Sequence, residues 1–148
     1  MRLVTIKASN ITAFTADPEM LQKAKRPCVL IMQLKYKGRR QSFAVPIRSN
    51  IPAAAPKSSY FPLPPRQSTR PKNRHGIHYI KMFPIKRSDT IMYRVEGNPQ
   101  ALLIKKIIDE NEKQIIKECQ EYLNRYETGL REEYSTDIDL LLKLMYGE

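Results

Sequence analysis

The sequence predicts an α+β domain in which an antiparallel sheet, drawn from the first two-thirds of the chain, packs against helices formed by the last third. Three observations predict it. Short β-branched and apolar runs joined by turn residues fill positions 3–95. Apolar residues at three- and four-residue spacing fill positions 98–148. The length, 148 residues, is that of one ordinary domain and is enough to bury a core without disulfides or metals. The whole of 1–148 is therefore read as a single domain.

Leu3-Val4-Thr5-Ile6 reads as a strand leading into the polar turn Ala8-Ser9-Asn10. Asp17-Pro18 combines an N-cap with proline at the first helical position and opens a short helix through Lys25. Two strands, 28–36 and 41–47, are joined by Lys37-Gly38-Arg39-Arg40, a hairpin turn whose glycine takes a positive φ. Residues 28–34 are almost continuously apolar, as in a strand covered on both faces.

Six of the eleven prolines (52, 56, 62, 64, 65 and 71) fall within 50–73, and no regular element is expected at that density. A loop so long inside a domain is functional or disordered, and the paired Tyr60-Phe61 favours function. Strand character returns at 76–82 and passes through Phe83-Pro84-Ile85 to an extended piece around 90–95. From 98 on the chain is helical. Asn98-Pro99 opens a long amphipathic helix with Leu103, Ile104, Ile107, Ile108, Ile115, Cys119, Tyr122, Leu123 and Tyr126 on one face, ended by Gly129. Thr136 with Asp139 resembles a capping box before a last helix whose face is Ile138, Leu141, Leu142 and Met145. These stripes read as core.

Charge is segregated. The net charge is +11, but residues 1–94 hold 19 Lys and Arg against three acids (+16), whereas residues 95–148 hold 7 against 12 (−5). Between Met20 and Ser88 there are 16 cations and no carboxylate, so that segment cannot neutralise itself. A polyanion that supplies the counter-charge is the expected partner, and nucleic acid fits better than an acidic membrane because no basic amphipathic helix is present. Cys28 and Cys119 have no metal-ligand spacing and read as buried free thiols. With no signal-peptide core and no apolar run near the ~20 residues of a membrane span, a cytosolic location is expected.

No phosphate-binding glycine loop, HExxH or nucleophile elbow occurs. The basic part offers hydroxyls, cations, amides, tyrosines and two histidines. That inventory suits attack of an RNA 2′-hydroxyl on its own phosphate, since the substrate supplies the nucleophile and the protein orients the phosphate, stabilises its charge and assists proton transfer. Such chemistry requires no metal or other cofactor. Arg48 and Lys57 are the candidate contacts to the non-bridging oxygens and Ser49 the candidate donor to the scissile phosphate, with Lys57 its first-choice partner. Asn50 would fix the loop or a base edge, and Tyr60 and Phe61 could stack on bases. The wider RNA-binding face is expected to comprise Lys7, Lys35, Arg39, Arg40, Asn50, Tyr60, Arg66, Arg70, Lys72, Arg74, His75, His78 and Lys81.

Two stretches, RPCVLIMQLKYKGRRQSFAVPIRSN and RHGIHYIKMFPI, resemble the endoribonuclease toxins of type III toxin–antitoxin and abortive-infection systems, the ToxN/AbiQ group, which includes CptN-like proteins. The first is similar to that family's strand, hairpin and strand ending in proline, a hydrophobe, a polar residue and serine. The second is similar to its His-Gly, strand and Met-x-Pro segment. The resemblance implies a strongly twisted antiparallel sheet flanked by helices, as in Kid/MazF toxins. It implies metal-independent RNA cleavage to a 2′,3′-cyclic phosphate, directed at cellular or phage RNA in antiviral defence. It also implies inhibition by a cognate repeated RNA pseudoknot in a cyclic protein–RNA assembly. The family's serine falls on Ser49 and a frequent threonine on Arg48. Its lysine two residues after the serine falls on Ile51, leaving the cationic role to Lys57 or Arg48, and Lys81 stands where an asparagine is common. A non-catalytic RNA-binding module using the same face is the alternative. A DNA-binding regulator fits less well, because both predicted C-terminal helices lie in the acidic part.

Overall fold

The computed structural model describes residues 1–7 and 26–147. The turn at Ala8-Ser9-Asn10 and the helix expected from Asp17 to Lys25 lie outside the described residues. Among the described residues seven strands, β1 (Arg2–Ile6), β2 (Cys28–Tyr36), β3 (Arg39–Ile51), β4 (Tyr60–Leu63), β5 (Arg74–His78), β6 (Phe83–Pro84) and β7 (Thr90–Met92), form one antiparallel sheet. Their order is β4-β5-β3-β2-β1-β7, with β6 also paired to β3. Three helices follow, α1 (Pro99–Glu110), α2 (Glu112–Glu127) and α3 (Ile138–Tyr146).

The near-continuous apolar character of β2 has the expected cause. Val29, Ile31 and Leu34 enter one core cluster, with Ile104, Ile108, Ile115, Cys119, Tyr122, Leu123 and Tyr126 of α1 and α2. Cys28 and Leu30 enter a second cluster, with Val4, Ile6, Ala44, Phe83, Ile85 and Leu141. Successive side chains of a strand point to opposite faces, so a strand with core on both sides needs apolar residues at every position. The β2–β3 hairpin turns through Lys37 (φ 50°) and Gly38 (φ 77°), the two positive φ values that match the twist of the flanking strands. Cys28 and Cys119 are buried and unpaired with each other, and burial pushes the Cys28 thiol up to about 12.

Five expectations need correction. β3 runs on to Ile51 instead of ending at Ile47, because β5 pairs with its last residues. The proline-rich stretch does contain a strand: β4 lies at the edge of the sheet, where Pro62 loses no ladder partner on its open side. The strand expected at 76–82 is β5 as far as His78, and then a 3-10 turn at Tyr79–Lys81. The single long helix is two, separated at Asn111 (φ −117°, ψ 20°), whose side-chain amide bonds to the Ile107 carbonyl at 2.7 Å, and Leu103 is 44% exposed on α1 and outside the core. The cap of α3 is Asp137, which accepts from the Leu140 amide at 3.0 Å, while Thr136 is buried and Asp139 serves other partners. Among the described residues no helix is long and apolar enough to cross a membrane.

Candidate active site

The far end of β3 is irregular. Ile47 pairs with Ile77, Arg48 with Gly76 and Ile51 with Arg74, so Ser49 and Asn50 together face the single residue His75. Two residues against one make a β-bulge, which bends the strand and re-aims its side chains. Gly76 permits the close approach of the next strand, since a Cβ there would stand 2.4 Å from the Phe61 carbonyl oxygen. That packing sets the register Tyr60↔His78 and lays the 52–59 segment beside the bulge.

Arg48 is half-buried, and its Nη1 lies 3.2 Å from His78 Nδ1. A guanidinium has only donors, so Nδ1 accepts and the imidazole proton sits on Nε2. Burial, then the charges of Arg48 and Lys81, push His78 down to about 3, and the ring is therefore neutral at ordinary pH. His78 is 2% exposed, and its Nε2 has no hydrogen-bond partner in the structure. A buried, unsatisfied N–H beside an arginine is a donor pair shaped for an anion. Burial, then the charge of Arg26, also lowers the Arg48 guanidinium.

Both groups line a cavity of about 680 Å³, large enough for a nucleotide. Pro52, Ala54, Ala55, Pro56 and Ser59 form one side, with Ile80 and Lys81 beyond His78. Lys81, only 6% exposed, donates from Nζ to the Tyr134 carbonyl at 2.6 Å. The remaining wall, Glu132, Glu133 and Tyr134, comes from the segment between α2 and α3. The carboxylates missing from the basic half thus enter from the acidic half. Sequence reasoning passed over them, although two adjacent glutamates in a break between helical runs are a loop feature of the kind that carries function.

The other predicted residues divide into groups. Ser49 is half-buried on the bulge next to Arg48 and does not line the cavity. Asn50 holds the loop: Nδ2 donates to the Ser68 carbonyl at 3.0 Å, and Oδ1 accepts from the Arg70 amide at 2.8 Å and Asn73 Nδ2 at 3.3 Å. His75 is buried, with Nδ1 2.7 Å from the Pro64 carbonyl, and pins the same loop. Burial lowers its pKa, against that hydrogen bond and together with Arg66. Tyr60 is half-buried, whereas Phe61 is in the core. Lys57 is exposed at the start of a 3-10 turn and does not line the cavity. Arg66, Arg70, Lys72 and Arg74 are exposed along the loop that Asn50 fixes.

Lys7, Lys35, Arg39 and Arg40 are exposed but lie elsewhere. Lys7 follows β1, and the Lys35 backbone is tied to Gln120 of α2 at 2.9 and 2.8 Å. Arg39 and Arg40 begin β3, nine and eight residues before Arg48, a separation of about 25–30 Å along an extended strand. Among the described residues no three of His, Cys, Asp and Glu are grouped as a metal would require.

Fold and site together define an antiparallel-sheet α+β protein with a nucleotide-sized cavity, lined by two cations and two carboxylates, at a strand bulge. Solved structures share this fold. One is a chain from a bacterial antiviral system regulated by a processed non-coding RNA (17% identity, TM-score 0.68, covering 97% of this chain and 96% of that one). Another is from a bacterial type III toxin–antitoxin system with selective toxin inhibition by a non-coding RNA pseudoknot (15% identity, TM-score 0.66, 99% and 98%). A third is AbiQ, a lactococcal anti-phage endoribonuclease of a type III toxin–antitoxin system (14% identity, TM-score 0.67, 95% and 93%). No protein-family model and no curated protein matches the sequence.

Proposed function

We propose that this protein is a sequence-selective endoribonuclease toxin of a type III toxin–antitoxin system, cleaving RNA by internal 2′-hydroxyl attack without a metal ion. The observation that carries this reading is the Arg48–His78 pair, a guanidinium and a buried, unpartnered neutral N–H on two residues that line one cavity beside the bulge that bears Ser49. In this mechanism the scissile phosphate sits against that pair. Arg48 neutralises a non-bridging oxygen, His78 donates from Nε2 to the phosphate, and the Ser49 hydroxyl, on the bulge beside Arg48 but outside the cavity lining, bonds the part of the phosphate that projects from the cavity. Donors fixed in a site of low dielectric stabilise the charge that accumulates on the phosphorane. The likeness to toxins inhibited by RNA supports the further proposal that a repeated RNA pseudoknot, bound by the exposed cations of the 66–74 loop, holds the protein inactive in a cyclic complex in the cytoplasm.

Cleavage of RNA in excess EDTA, yielding a 2′,3′-cyclic phosphate and a 5′-hydroxyl, is the expected result. A single deoxynucleotide at the cut site abolishes it. Cleavage that chelation removes, or that survives the deoxy substitution, rejects the mechanism. RNA that binds tightly and is never cut by the wild-type protein establishes the non-catalytic RNA-binding alternative instead.

A further inference from the structure

The Arg48–His78 pair stabilises charge but moves no proton. His78 is neutral with its proton on Nε2, and Nδ1 is engaged by a permanent cation, so the ring presents no free lone pair as a base. Ser49 is too weakly basic for the task, and Lys57 does not line the cavity. The wall supplied by the segment between α2 and α3 is different. Glu132 is half-buried, and its Oε2 is screened from solvent and has no hydrogen-bond partner in the structure. With Oε2 hidden from solvent, Oε1 is the carboxylate oxygen left to meet a substrate hydroxyl from the cavity that Glu132 lines, and the unpartnered buried oxygen leaves the carboxylate under-satisfied. Tyr134, with a φ of 65° that a non-glycine residue rarely adopts, turns the chain there and sets its carbonyl on Lys81. That bond anchors the segment to the cavity wall. Glu133, by contrast, is exposed.

Resting on the endoribonuclease reading, we infer that Glu132 is the general base of the reaction, supplied to the basic site by the acidic C-terminal part of the chain. The 2′-hydroxyl passes its proton to a Glu132 carboxylate oxygen as the 2′-oxygen bonds to phosphorus. The bond from phosphorus to the 5′-oxygen breaks, and that oxygen takes a proton from the Lys81 ammonium. Water then removes the proton from Glu132 and returns one to Lys81, so the cycle consumes none. Arg48 and His78 hold the phosphate throughout. The separation of roles is physical: a base must be anionic or neutral with a free lone pair, and of the groups that line this cavity only the two glutamates are anionic.

The test is Glu132→Gln, which keeps the shape and removes the charge, assayed as the full chain on a short RNA under single-turnover and steady-state conditions. Loss of a general base lowers kcat by about 10²–10⁴-fold. KM and RNA affinity stay the same or improve, since a negative charge leaves an anion-binding cavity. Glu132→Asp recovers part of the rate, and Glu110→Gln, the same charge change on exposed α1, leaves it unchanged. A second substrate carries sulfur in place of the departing 5′-oxygen. A thiolate leaves without protonation, so the Glu132→Gln deficit persists on it if Glu132 is the base. A rate within threefold of wild type, or a faster one, overturns the proposal. A deficit that vanishes on the sulfur substrate also overturns it, by making Glu132 the acid. Wild-type protein that never cleaves RNA removes the endoribonuclease reading and this inference together, whereas wild-type cleavage with an equally active Glu132→Gln removes this inference alone.

Discussion

β3 is basic at both ends, and the two ends are used differently. At its start, Arg39 and Arg40 stand at the exposed hairpin, and the acidic helices reach across to it. Lys37 Nζ lies 3.0 Å from Asp139, the Lys37 amide donates to Glu127, and the Tyr36 hydroxyl donates to Asp139 at 2.7 Å. Arg40 donates to Gln33 at 3.0 Å. At the other end, Arg48 is half-buried against a neutral histidine at the rim of a cavity. The contrast teaches that positive charge alone does not mark a site. The hairpin cations are solvated or paired and contribute mainly to long-range attraction, whereas the charge at the bulge is partly desolvated and lines an open cavity.

The largest expected effect separates the two ends directly. Arg48→Ala should slow RNA cleavage by about 10²–10³-fold, the cost of one preorganised donor to a developing charge, and should also weaken binding because the cation acts in ground and transition states alike. Arg39→Ala and Arg40→Ala should leave single-turnover cleavage at saturating RNA within about twofold, because one lost contact at an exposed cation is worth little. Equal losses at both ends would dissolve the distinction.

A second comparison lies within the bulge end. Ser49→Ala should lower turnover by about tenfold or more with affinity nearly unchanged, a neutral hydrogen bond being a small part of a phosphate-dominated interface. Lys57→Ala should cleave at close to the wild-type rate, and a loss as large as that of Ser49→Ala would place Lys57 in the site in spite of its exposed position.

Salt dependence sharpens the picture at the hairpin. If Arg39 and Arg40 contact RNA phosphates, neutralising each should reduce the log–log salt slope of binding by about 0.7 per contact to a single strand. An unchanged slope for the double variant would assign the hairpin to folding alone.

The smallest expected effects are on stability, and they again differ between the ends. At Asp139 burial works against ionisation, but hydrogen bonds from Tyr36, Lys37 and Arg131 hold the carboxyl below its ordinary 3.8. A depressed carboxylate stabilises the fold above its unfolded pKa and ceases to do so as pH falls through the folded one, so this contribution is lost below about pH 4. Asp139→Asn should cost about 1–2 kcal/mol at pH 7 and less in acid, measured by urea midpoints. His78 behaves with its own window. Its folded pKa of about 3 lies beneath the ordinary 6.5, so the unfolded chain binds a proton first and stability falls as pH drops from 6.5 toward 3. His78→Gln should flatten that segment of the stability profile, and an unchanged slope would show that His78 is not buried in its neutral form.

Much of the fold was legible because local rules governed it. Gly38 announced the hairpin, although the turn is Lys37-Gly38 and not the four residues 37–40 read from the sequence, the unbroken apolar run of β2 announced core on both faces, and Gly129 marked the end of α2 at a φ of 95°. Misreadings arose where a remote partner decided. β4 exists in spite of Pro62 because β5 offers it an edge, and β3 continues past Ile47 because β5 supplies the ladder. Asn111 breaks the expected long helix although the apolar spacing runs straight through it, since one residue with ψ near 20° interrupts the ladder without disturbing the pattern. Of the residues that line the cavity, Arg48 was singled out by the strand-ending motif, whereas Ser49 of the same motif stands on the bulge outside the lining. His78 and Lys81 looked like surface RNA contacts, and their burial reversed that picture.

The sequence by itself determined the antiparallel α+β class, the segregation of charge and the position of the Arg48-Ser49 pair, because each depends on residue type and on spacing within one segment. Only the tertiary structure decided which groups share a volume. It removed Arg39 and Arg40 from the neighbourhood of Arg48, turned His78 inward to accept from it, and brought Glu132 into a half of the molecule that has no carboxylate of its own between positions 20 and 88. Composition counts charges along the chain, but proton transfer and ion pairing act over a few ångströms in space. The separation between Arg48 and Glu132 along the sequence, 84 residues, carries no information about that distance until the sheet and helices have packed.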